Sequence, residues 1–137
     1  MKEEIAPALR RLGFKGSGQR FELPSDTHWA IVGFQKFSWS SQDQVEFTLN
    51  VTVVSRDEWM RAQEERPYLP ARPSASVGAG FGWETRIGSL IPGDAEKTWI
   101  IAGDRPTKPV ASDVVGAIEQ FVLPAMQAHI SRGGENG

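Results

Sequence analysis

A chain of 137 residues is long enough for one domain with a single core, and its 39% apolar content suits a globular rather than a disordered chain. The net charge is −2 and the 15 basic residues are scattered, so no cationic stripe marks a nucleic-acid binder. There is no cysteine, which removes disulfides, thiolate metal sites and cysteine nucleophiles together, and no run approaches the roughly 18 apolar residues of a membrane span.

The N-terminus, Met1 to Arg10, carries acids and no apolar segment, so it does not read as a secretory signal, and a cytoplasmic protein is expected. Lys2 to Leu12 has Ile5, Ala8, Leu9 and Leu12 at helical spacing, with Gly13 placed for a left-handed cap. Pro7 fits that helix if it begins only a residue or so earlier. Phe14–Lys15 and Gln19–Leu23 read as a small hairpin turning at Gly16, Ser17 and Gly18. Pro24 to Thr27 then turns the chain into its organising stretch, His28 to Val54.

That stretch reads as two long antiparallel strands joined by the polar loop Ser38 to Gln44. In the second strand Val45, Phe47, Leu49, Val51 and Val53 alternate with Glu46, Thr48, Asn50 and Thr52, which predicts one apolar face and one wet face. The first strand, Trp29 to Phe37, is apolar on both faces and so is expected to be central. Asn50-Val51-Thr52 matches a glycosylation sequon, but inside a strand it is read as chance.

A short helix is expected over Arg56 to Ala62, capped by Ser55 with Glu58 three residues on, and with Trp59 and Met60 packed. Pro67, Pro70 and Pro73 recur at every third position, which predicts an extended polyproline-like surface excursion. Phe81 to Ile87 reads as a strand with Trp83 and Thr85 on its surface, and Thr98 to Ala102 as a further short strand. The strongest element is a helix over Val110 to Ile130, with Val114, Ile118, Phe121, Val122 and Met126 on one stripe and a kink expected at Pro124. Ser131 to Gly137 reads as a disordered Gly-rich tail. Strands grouped together, with helices at the two ends, predict an α+β fold. It would be a single domain over residues 1–131: an antiparallel sheet of about five to six strands, with an N-terminal and a long C-terminal helix packed on one face.

The order of several weak motifs carries a family resemblance. Leu12-Gly13-Phe14-Lys15 follows the first helix, Phe21 lies across the tight turn, and Gln35 sits in the long strand; Phe47-Thr48-Leu49-Asn50, Trp99 and the Pro124 helix complete the set. In this order the chain resembles the bacterial family known as domain of unknown function 4304, over about Met1 to Ile130. The resemblance implies a compact α+β domain and transfers no catalytic or binding residues.

The candidate chemistry is sparse. Val77-Gly78-Ala79-Gly80-Phe81-Gly82 lacks the spacing and following helix of a dinucleotide fingerprint, so it reads as a turn entering a strand. His28 with Asp26 and a serine such as Ser25 or Ser38 suggests acid–base chemistry only if geometry unites them; the plainer reading is a half-exposed histidine at a strand entrance. His129 is read as lying near a helix end, where a protonated ring suits the dipole. With two histidines and no ligand spacing, no metal site or cofactor is expected.

Gln35 within an apolar strand needs a hydrogen-bond partner, and is the polar residue most open to a role. Trp39 in a polar turn and Trp83 beside the glycine loop are candidate anchors for a partner, with Tyr68 and Arg72 in the proline loop extending the same surface. The reading that follows is a non-enzymatic protein- or ligand-binding module, with another protein as the partner and neither nucleic acid nor membrane involved. The alternative is a small-ligand binder or enzyme with a pocket near Gln35, His28 and the glycine loop; strand parity puts Gln35 and His28 on opposite faces, which counts against it.

Overall fold

The computed structural model describes residues 2–17, 19–37, 44–70, 73, 82–94, 97–103 and 106–136. Residues 38–43 of the polar loop and the glycine-rich string up to Phe81 lie outside them. Six strands form one curled antiparallel sheet: β1 (Lys15–Ser17), β2 (Arg20–Glu22), β3 (His28–Lys36), β4 (Gln44–Ser55), β5 (Trp83–Arg86) and β6 (Trp99–Ala102). The path runs β1-β2-β3-β4, and the far edge of β4 is shared. β5 pairs with Asn50 to Val53, and β6 pairs with Gln44 to Phe47. β4, with 12 residues, is thus the spine of the fold.

Register decides which residues share a face. Ala30 opposes Val53, Val32 opposes Val51, and Phe34 opposes Leu49. These pairs, with Phe21 of β2 and Trp99 of β6, form the core face. Phe21, Phe34, Phe47 and Trp99 run across it as neighbouring rings, with centroids 5.8–6.1 Å apart. The helices close this face: Ile5 and Leu9 from α1 (Lys2–Arg11), Ala111 and Val114 from α3 (Lys108–Ala117), Met126 from α4 (Leu123–Asn136). Thr107 Oγ1 donates to the Glu4 carboxylate at 3.1 and 3.2 Å, tying the start of α3 to α1.

Local chemistry sets most boundaries. Gly13 ends α1 at φ +102°, as its cap position requires. Pro7 lies well inside α1, not at its first turn as expected. It faces solvent, and buried Ile5 and Leu9 hold the helix despite the missing donor. Ser55 caps α2 (Arg56–Glu65), its hydroxyl accepting from the Glu58 N–H at 3.0 Å. Trp59 is buried, but Met60 is 59% exposed and does not pack as predicted, because it lies about 100° further around α2, off the buried side.

The proline excursion is not extended where it is described. Leu69 N–H donates to the Arg66 carbonyl at 3.0 Å, making a turn, and the Pro70 carbonyl accepts from Trp59 Nε1 and Gln63 Nε2 at 3.1 and 2.9 Å. The turn is thereby strapped onto α2. Trp83 and Thr85 also depart from expectation. They oppose Val53 and Val51, so they lie on the core face rather than the surface.

The C-terminal helix is continuous from Lys108 to Asn136, and its backbone stays helical through residues 132–136. Pro124 does not simply kink it. The turn before it, Ile118–Val122, is π-helical, and the Leu123 N–H reaches back to the Ile118 carbonyl. Proline has no N–H and its ring crowds the carbonyl four residues back, so the ladder slips to a wider register just ahead of it. Ile118, Val122 and Met126 remain buried on one side. Among the described residues no helix is long and apolar enough to cross a membrane.

Candidate functional site

The second face of the sheet is where sequence and structure part most. Thr48, Asn50 and Thr52, read as wet, are buried, as are Ile31 and Val54 beside them. Polar groups in such a place need partners. Thr48 Oγ1 donates to the Lys97 carbonyl at 2.9 Å, and Asn50 Nδ2 donates to Gln35 Oε1 at 2.8 Å. Gln35 is therefore half-buried and bonded within the sheet.

At one end of this face the β1–β2 hairpin and the start of α2 line an open cavity of about 440 Å³. Register places its residues. Lys15 opposes Glu22, and Glu22 opposes Ile31, so both project on the second face; Arg20 opposes Gly33 and does the same. Trp29, two residues from Ile31, completes the wall. Gly16 allows the hairpin to close: at φ +126°, a Cβ there would stand 2.4 Å from the Arg20 carbonyl oxygen.

Arg56 also lines the cavity. It opens α2, where a cation opposes the helix dipole. It is held there by other means: its Nε and Nη2 donate to the Ser25 carbonyl at 3.1 and 2.8 Å, and its guanidinium lies 4.0 Å from the centre of the Trp29 ring. Its backbone N–H donates to the Thr27 carbonyl at 2.9 Å. Arg56 is thus held in place by the fold itself. Arg20 differs: its Nη2 is buried and has no hydrogen-bond partner among the described residues. Lys15, Arg20 and Arg56 face Glu22 and Asp26, which leaves one net positive charge on the lining.

His28 lies elsewhere. It opposes Ser55 on the core face and is buried, not half-exposed as predicted, because α2 begins directly beside it. Its Nδ1 shares a 2.7 Å hydrogen bond with Thr27 Oγ1, and burial lowers its pKa below 6.5. Asp26 is an exposed turn residue, so no Ser–His–Asp arrangement forms from Ser25, Asp26 and His28. His129 is not at a helix end; it stacks on Trp83 at 4.0 Å.

Of the residues singled out from sequence, Gln35 lies on the second face, while Trp83 is half-buried on the core face. Tyr68 is 80% exposed in the turn after α2. Trp39 and Arg72 lie outside the described residues. Neither Gln35, Tyr68 nor Trp83 lines the cavity. Sequence reasoning missed Lys15, Arg20 and Arg56. The available signals were the cation alternating with Phe21 in β2, and a cation directly after a helix cap.

A second hollow of about 470 Å³ lies beside α3. Its charges are already engaged: Asp113 accepts from Trp99 Nε1 at 2.6 Å and sits 3.6 Å from Lys97 Nζ, which is 4.0 Å from Asp94. That network fastens β6 to α3. No group of three or more potential metal ligands occurs among the described residues. In comparison with known proteins, the model of a family described as a domain of unknown function (DUF4304) matches residues 5–128. No curated protein and no solved structure matches the chain.

Proposed function

The chain belongs to the DUF4304 family, and from that premise, which carries no activity, we propose a non-enzymatic module that binds a small organic anion in the cavity that Arg56 lines. The observation that carries this reading is the convergence of three cations, Lys15, Arg20 and Arg56, on the lining of one cavity. A guanidinium has only donors to offer, and carboxylate or phosphate oxygens are what satisfy it best. Arg56 adds a cation whose ordering is complete beforehand, which lowers the cost of binding. The shifted histidine is not among the lining residues, so the cavity is furnished for holding charge rather than for proton transfer.

Titration calorimetry of the full chain with acetate and with inorganic phosphate tests this. Binding that weakens with added salt, and weakens at least about tenfold in Arg20→Met or Arg56→Met, is the expected result. Absence of heat with both anions, at millimolar concentrations and low salt, sinks it.

A protein partner is the second reading, favoured by Tyr68 and Met60, which are 80% and 59% exposed around α2. It is tested by whether Tyr68→Ser abolishes a reproducible co-purifying polypeptide from the native source.

A further inference from the structure

Arg56 is held along one edge and on one face, and what it has left to offer is flat. Its Nε and Nη2 both donate to the Ser25 carbonyl, at 3.1 and 2.8 Å, and such bonds lie in the guanidinium plane. One of the edges with which an arginine grips a carboxylate through two parallel bonds is therefore taken. Its Cζ stands 4.0 Å from the centre of the Trp29 ring. At that distance the two planes are stacked, because an edge-on approach would drive a nitrogen into the ring. Nη1 and the outer face of the guanidinium remain, and Arg56 lines the open cavity.

A guanidinium is weakly hydrated over its faces, and an aromatic ring covers such a face better than water does. Trp29 behind it and Ser25 at its edge keep the plane still, so a flat ligand finds it already oriented. Pro24 adds an apolar ring to the same lining, and a cavity of about 440 Å³ is within the range of small-molecule sites. The charge for an anion comes from Lys15, which is exposed on the lining, with Arg20 from the other strand of the hairpin. We propose that the ligand of the cavity is an aromatic organic acid, its ring stacked on the outer face of Arg56 and its carboxylate on Lys15. Ligand ring, Arg56 and Trp29 then form a stack of three layers. This rests on the anion-binding reading above and narrows it from simple anions to flat-ringed acids.

Titration calorimetry of the full chain with acetate, cyclohexanecarboxylate and benzoate, at neutral pH and low salt, tests this. The two ring acids share charge and carbon count, and the saturated one is the bulkier, so apolar area alone does not favour benzoate. Benzoate should bind at least about twofold more tightly than cyclohexanecarboxylate, as a ring stacked on an exposed cation does. Arg56→Lys keeps the charge and loses the plane, and should bring that ratio below twofold. Arg56→Leu, which also removes the plane, serves where Arg56→Lys fails to fold. A wild-type ratio below twofold, with any of the three acids bound, overturns the inference and spares the anion site. A ratio of twofold or more that survives the loss of the guanidinium overturns the stack on Arg56. No binding of any of the three acids overturns both readings together.

Discussion

His28 begins β3 inside the protein, opposite Ser55 and with its Nδ1 bonded to Thr27 Oγ1. Burial disfavours the charged imidazolium, so the folded pKa lies below 6.5. The unfolded chain therefore takes up a proton first as pH falls, and ν_U exceeds ν_N in that window. The stability this residue contributes is fully present above pH 6.5 and is lost as pH drops through the folded pKa. Urea denaturation at pH 7.5 and pH 5 should show the wild type losing more stability than His28→Gln over the same interval. Equal losses would mean that another group sets the acid limb.

The same residue shows why a single position is hard to read from sequence. Exposure of a strand-end histidine depends on what is packed beside it, and that is decided by where α2 turns back. Arg56 is the opposite kind of case. A cation at the first position of a helix violates the dipole rule, and such local violations mark places where something other than stability is at stake. The violation was legible; its resolution by the Ser25 carbonyl and the Trp29 ring required the fold.

Among the elements, those with a strong period were readable. β4 alternates cleanly, and the long helix keeps its stripe across the π-helical turn because one wide turn rotates the stripe without breaking it. Short elements were readable only in part: the β1–β2 hairpin is present as expected, but its strands of three residues each are too short to show a period, and sequence placed the turn one or two residues early. The cavity is built on those two strands, so it was illegible for the same reason. The α2 cap was readable because a hydroxyl three residues before an acid has a specific geometric meaning. Ser55→Ala removes the acceptor of the Glu58 N–H and should cost about 1 kcal/mol, measured by chemical denaturation. A cost near zero would show that water replaces the cap without penalty.

For the molecule as a whole, alternation told which residues share a face but not whether the polar face stays wet. Two-sided burial comes from distant pieces of chain: Lys97 supplies a carbonyl to Thr48, and Trp59 is buried outside the main core, as are Ile31 and Val54. The protein thus has a second, smaller apolar layer behind the sheet. Ile31→Ala, on that supposedly open side, should cost about 2–5 kcal/mol, as a core truncation does. A loss below about 1 kcal/mol would show that the layer is loose enough to collapse around the gap.

The shared edge of β4 has a consequence in time. β3 and β4 are neighbours in sequence and zip over nine residue pairs, so their closure entropy is small and their amides should be the last to exchange with solvent. β5 and β6 come from much farther along the chain, and each grips only four residues of β4, with Thr48 and Leu49 lying between the two grips. Because neither strand pairs with the other, either can peel away while its neighbour stays in place. The sheet therefore opens at one margin in two separate events, while the opposite margin, which carries the cavity, keeps its register.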